Sequence, residues 1–579
     1  MRSRNLHRYQ LLEISKQTVK CAFRCVNVGI LAVLLISTAG ETPGQVQEHA
    51  GHTVGKVDFP VSCTEPARAE FNRAAALLHH MTYSQAQEAF RRVAAIDPQC
   101  AMAHWGIAMS LFQPLWPTRP GPGELERGWK AVQTAKSLKP PTERERLFVA
   151  AAEAFFLEPA SPDYWLRIRR WEKAMEAVYI AFPDDPDAAA FYAVAHLATA
   201  PSDTISRSHA DRAAEILVRV YKKYPDHPGA MHYLVHANDA PGREGELLDI
   251  TRKYESIAPR NPHALHMPTH IYTRLGDWDA VISGNLRAAE AALEYPAGDR
   301  QQYVWDEFAH AIEYMVYAHL QKGADDKAAA QWNRLSTTAR LQPSFKTAFH
   351  RSSIQARYAL ERRAWDETAA IVPREPADLD WDRFTWPEAI SWFARGMGAA
   401  HLGKIPEAKN AGTRLALLEE KTRKAGENLF ARNIQVLRLE LEAWIAHTQR
   451  QEESAADLMR KAAEVETSTP KHAVTPGPTL PAYELLGDLL MEQKHPAEAL
   501  AAYKRSLELY PNRFNTVLGS ARAARALGDE ASARAFYHRL LQLAAGGTRQ
   551  TALKEAQNYV AHQRIRSRHQ RSMPTFLVK

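Results

Sequence analysis

One 34-residue unit is written twice in succession near the end of this chain, and it restricts the possible folds more than any other feature. Residues 480–513 (LPAYELLGDLLMEQKHPAEALAAYKRSLELYPNR) place Tyr483, Leu486 and Gly487 in a first apolar-periodic stretch and Ala499 and Tyr503 in a second, and Pro511 closes the unit. One unit later, Ala521, Ala533 and Tyr537 take the places of Gly487, Ala499 and Tyr503. Small residues let two helices approach, an aromatic ring fills the remaining gap, and proline stops the second helix. A unit of this length buries its apolar face only against neighbouring copies, so the pattern predicts a stack of helix pairs.

The same places are filled near the start by Ala86, Phe90 and Pro98. Further units read from Ala174 to Pro186, at Gly276-Asp277-Trp278 with Val281, and at Gly323 with Ala328 and Trp332. These units resemble the tetratricopeptide repeat. Together with CAMAHWGIAM (100–109), HPGAMHYLVHANDAPG (227–242), HALHMPTHIYTRLGDWD (263–279) and VTPGPTLPAYELLGD (474–488), they make most of the chain similar to a family of exported bacterial tetratricopeptide proteins. The resemblance implies an all-α solenoid from about residue 65 to about residue 560, with first helices lining a concave groove, and it carries over no catalytic activity. Amphipathic segments at 347–362, 385–402 and 428–447 extend the helical reading. Proline-rich joints at 114–123, 372–381 and 469–481 read as kinks, or as loops closing over the groove.

The net charge of +7 is carried by the ends. Residues 1–25 hold +5 and residues 564–579 another +5, which leaves −3 for the rest. A nucleic-acid binder needs a basic stripe on its folded body, so the expected partner is a protein or peptide and not a nucleic acid. The basic start precedes an apolar run, Val26 to Ile36, and then Ser37-Thr38-Ala39. This order predicts an export signal cleaved after Ala39, with an uncleaved anchor as the alternative. The expected layout is therefore a signal at 1–39, an extension at 40–64, the solenoid at 65–560 and a basic tail at 561–579. Cys21 and Cys25 would leave with the signal. Cys63 and Cys100 would remain, either as a disulfide in an oxidising compartment or as two buried thiols.

The histidines give the most specific functional signal. His232 and His236 are four residues apart, as are His266 and His270, and the second pair follows the first by 34 residues. Four residues is about one helical turn, so each pair shares a helix face. With Pro262 as the first residue of its unit, His263, His266 and His270 fall at positions 2, 5 and 9. His310, Glu313 and Tyr317 take those positions in the following unit. Neutral imidazoles with a carboxylate suit zinc, copper, iron or nickel, which makes His232, His236, His266, His270, His310 and Glu313 candidate ligands and Asp239 a residue that either orients one of them or joins the shell. HYLVH and HMPTH lack the glutamate of a metalloprotease helix. His263, Tyr317, His79 and Trp105 are expected to line the groove for a partner. His49 and His52 read as incidental. The leading expectation is an exported scaffold that holds a protein or peptide in its groove; the alternative is a transition-metal protein, with any catalytic role left open.

Overall fold

A computed structural model describes residues 53–571 apart from 162, 202–206 and 298–301. The expected signal, His49, His52 and the last eight residues lie outside the described part. Within it, helix follows helix from Glu65 to Arg571, and each packs chiefly against the next one or two along the chain. This is an all-α solenoid of helix-turn-helix pairs. The three amphipathic segments form the helices Phe345–Glu361, Thr385–His401 and Asn428–Thr448. The final helix, Gln550–Arg571, continues into the segment expected as a tail. None of the described helices is long and apolar enough to cross a membrane.

The small-residue logic of the repeat is visible where Ala482–Glu492 meets Pro496–Leu509. A Cβ added to Gly487 would lie 2.5 Å from the Tyr503 ring, closer than any side chain tolerates. Gly487 thus admits the aromatic wedge that fixes the pair. Two details depart from an unbroken helical reading. Pro268 has no N–H to donate, so the helix carrying His263, His266 and His270 is divided into Pro262–His266 and Pro268–Leu275. A two-residue antiparallel pairing, Pro296–Ala297 with Tyr303–Val304, precedes the helix Glu307–Gln321.

Cys63 and Cys100 form a disulfide. It ties the extended segment before the first helix to the start of Ala101–Met109. That segment also hydrogen-bonds to a distant repeat, with Gly55 N–H donating to Ile257 O at 3.0 Å and Lys56 N–H to Asp226 O at 2.9 Å.

The solenoid does not leave an open trough. Glu65–His79 packs against Pro228–Asn238, and Glu307–Gln321 against Phe514–Ala526. At the second contact Gly276 sits in the left-handed region at φ 67°, with Pro511 O where a Cβ would come within 2.8 Å. Trp278 Nε1 donates to Asn512 O at 2.7 Å beside it. Arg513, fully buried, joins Glu361 at 2.6 Å, Glu484 at 2.9 Å and the Tyr317 hydroxyl at 3.0 Å. Ends of the array therefore fold back onto its middle.

A candidate metal centre of two histidine triads

The four paired histidines do converge, and they recruit two more. His232, His236 and His263 form one group, and His266, His270 and His310 a second; within each, the potential ligand atoms lie within 4.8 Å of one another. Each triad is built by the same rule: the position 5 and 9 histidines of one repeat, plus the position 2 histidine of the next. All but His236, which is half-buried, are shielded from solvent.

Hydrogen bonds on the far side of the rings decide what the near side can do. His232 Nδ1–H donates to His79 O at 2.6 Å, and His263 Nδ1–H to Glu307 Oε2 at 3.2 Å. His266 Nδ1–H donates to Asn285 Oδ1 at 2.7 Å, and His270 Nδ1–H to Asp239 Oδ2 at 2.8 Å. Asn285 is itself oriented, since its amide donates to Val281 O at 2.8 Å. A neutral imidazole has one N–H, so each of these four presents a bare Nε2 lone pair. Yet His232 Nε2 lies 3.1 Å from His263 Nε2, and His266 Nε2 lies 2.9 Å from His270 Nε2. Two lone pairs facing each other repel. A shared proton would relieve this only by making a buried imidazolium. Burial and the neighbouring histidines hold His232 and His266 well below the usual imidazole range, and burial lowers His270 to about 4 against the pull of Asp239. A metal ion would resolve the conflict, because nitrogens bound at 2.0–2.1 Å around a tetrahedral ion sit about 3.3 Å apart.

The carboxylates behind the ligands stay ionised. Burial alone would raise Asp239, but Lys471, Arg274 and His270 hold it well below the ordinary carboxylate range. Lys471 Nζ reaches Asp239 at 2.7 Å and Arg274 Nε at 2.9 Å. Lys346 and His263 overcome the same burial penalty at Glu307. Such carboxylate–histidine pairs fix the tautomer and raise the basicity of a ligand.

Two of the proline-rich joints close over the site. Trp116, from the first, stands 5.1 Å from the His263 ring and 5.7 Å from that of His310, under Lys346 Nζ at 4.0 Å. Lys471, from the third, reaches Asp239. Beyond Arg274 and Lys471 lies a cavity of about 100 Å³ that Trp386, Leu437 and Tyr510 help to wall.

A third group, His79, Asp187 and His227, shows by contrast what a closed cluster looks like. His79 and His227 both direct Nε2 at Asp187 Oδ1, at 2.9 and 3.2 Å. His79 Nδ1 meets the Tyr233 hydroxyl, and His227 Nδ1 accepts from Ala230 N–H. Every ring nitrogen there has a proton donor or acceptor to match, so no two lone pairs are made to face each other.

Several expected roles change. Glu313 does not join either triad: it binds His350 Nδ1 at 2.5 Å and Ser353 Oγ at 2.6 Å, and lies 3.3 Å from Arg357. The groove residues are interior. His263 belongs to the first triad, and Tyr317 receives Arg513. Trp105 packs in the core, 5.3 Å from Phe59 and 5.5 Å from Phe148. His79, expected to line the groove, supplies the carbonyl that orients His232, because the first helix packs against Pro228–Asn238. Sequence reasoning missed Glu307, Asn285 and Trp116. Glu307 lies three residues before His310 and was open to the argument applied to Asp239; nothing local marks the other two.

A tetratricopeptide repeat model matches residues 481–513. No curated protein matches the chain. Among solved structures, yeast Tom70 aligns at 13% identity and a TM-score of 0.29, covering 87% of this chain and 97% of its own. The human IFIT1 dimer with m7Gppp-AAAA aligns at 13% identity and a TM-score of 0.33, covering 73% and 87%. At these values neither likeness bears on what this chain binds.

Proposed function

We propose that this protein holds a transition metal in a buried all-histidine centre, inside an exported α-solenoid. The observation that carries the reading is the pair of Nε2–Nε2 contacts whose tautomers are fixed from behind: two neutral imidazoles cannot satisfy either contact by hydrogen bonding, and coordination can. Zinc, copper, iron and nickel all accept imidazole. The Cys63–Cys100 disulfide supports an oxidising compartment, as the expected export signal requires. With ligands in place and carboxylates behind them, the chain's own residues would orient the imidazoles, exclude bulk water through Trp116 and hold charge at Asp239 and Glu307.

The second reading is a scaffold for a protein or peptide partner. The solenoid architecture and the tetratricopeptide repeat at 481–513 favour it. Its partner would engage faces other than the residues around the triads, which the chain's own loops and C-terminal repeats cover.

Elemental analysis of protein produced without a histidine tag or chelator separates the readings. Near-stoichiometric metal in the native chain, lost in His232→Ala/His266→Ala, is the expected result. A chain that holds no zinc, copper, iron or nickel even after reconstitution would end the metal reading and leave the scaffold.

A further inference from the structure

We propose that the two triads form one paired centre that takes two copper ions, both in the cuprous state. The inference rests on the metal reading above and goes beyond it in number, identity and charge. The rings of the two triads are contiguous: His263 and His266 are 6.1 Å apart between ring centroids, and His236 and His270 are 6.2 Å apart. The longest separations inside the triads are 6.5 and 6.4 Å, so the gap between sites is no wider than the sites themselves. Both triads also follow from one rule of repeat position, so a reason for one ion is equally a reason for a second.

Charge selects the ion. As metal ligands the six imidazoles would be neutral. Asp239 is matched by Arg274 and Lys471, while Asp306 and Glu307 share Lys346. Three carboxylates meet three cations, so the surrounding protein supplies no net negative charge to a guest. Two divalent ions would bring +4 into a site shielded from water, and two monovalent ions only +2. The mutual repulsion scales with the product of the charges, so it is four times smaller for the monovalent pair. Of zinc, copper, iron and nickel, which imidazole suits, copper alone is stable as a monovalent ion.

The test is an anaerobic titration of the metal-stripped full chain with cuprous copper against a competing cuprous chelator, and in parallel with zinc. His236→Gln and His310→Gln serve as variants, because neither ring is hydrogen-bonded to anything but another histidine. Unfolding midpoints of the stripped proteins confirm that they fold. The expected result is two cuprous ions per native chain, one in each single variant and none in the double, with fewer than two zinc ions retained under the same competition. One copper per native chain would overturn the pairing. Two zinc ions held as tightly as copper would overturn the choice of a monovalent ion. Failure of every metal to bind would instead sink the underlying metal reading.

Discussion

His310→Leu should stabilise the metal-free protein while removing its ability to be stabilised by metal at that triad. His310 is fully buried, and neither ring nitrogen has a hydrogen-bond partner. Burial, with His266 and His350 alongside, keeps its ring well below the usual imidazole range, so one N–H and one lone pair stand desolvated without compensation. Each orphaned group costs about 1–3 kcal/mol. Leucine has similar bulk and no polar atom, and its imperfect fit costs about 1–3 kcal/mol. The stripped variant should therefore be more stable by about 1–2 kcal/mol. At metal concentrations 100 times the dissociation constant, the native chain should gain about 2.7 kcal/mol at this triad and the variant nothing, which reverses their order. Urea unfolding followed by circular dichroism, in chelator and then in buffered metal, reads both terms. A stripped variant less stable than the native chain by more than about 1 kcal/mol would show that His310 is not an orphan, and the reasoning would fail.

Three further outcomes can be checked separately. Glu307→Gln keeps a hydrogen-bond acceptor for His263 but removes its charge, and should weaken metal binding by about 10- to 100-fold in chelator competition. Cys63→Ala/Cys100→Ala opens a loop of 37-residue separation and should lower stability by about 3–4 kcal/mol on the chain-entropy account, read as a shift in urea midpoint. His401 is stacked 3.6 Å from Trp365, and burial with Arg363 nearby lowers it to about 3. Below the ordinary imidazole value of about 6.5, the unfolded chain therefore binds a proton that the folded chain refuses. Stability is lost as pH falls, at about 1.4 kcal/mol per unit. His401→Phe should flatten the stability–pH curve between pH 6 and 4 by that slope, and an unchanged curve would contradict the depressed value.

What could be read in the chain is what depends on neighbours in sequence. The 34-residue period gave the helix pairs, the four-residue spacing put His232 beside His236 and His266 beside His270, and the repeat frame put His263 and His310 on the same surface. The assignment of His263 to a partner groove failed for a different reason: position in a repeat says which way a residue faces, not what it meets. The triads are completed by returns of the chain. Trp116 arrives from a loop and Lys471 from a segment more than 200 residues after Asp239. The proline-rich joints hinted at such closure, since they broke the register where covering loops now lie. The choice between an open groove and a filled one rested on contacts such as Arg513 with Glu361, which no local pattern encodes.

Arg513 and its buried partners bear on when the centre can exist. Stacked repeats form mostly from near-neighbour contacts and can assemble piecemeal, whereas the surroundings of His270 need residue 471 and the docking of the last repeats needs residue 513. A chain whose last repeats have not yet docked would own both histidine pairs yet lack the cover that dries them. On the metal reading proposed above, capture would wait until the final repeats have come home.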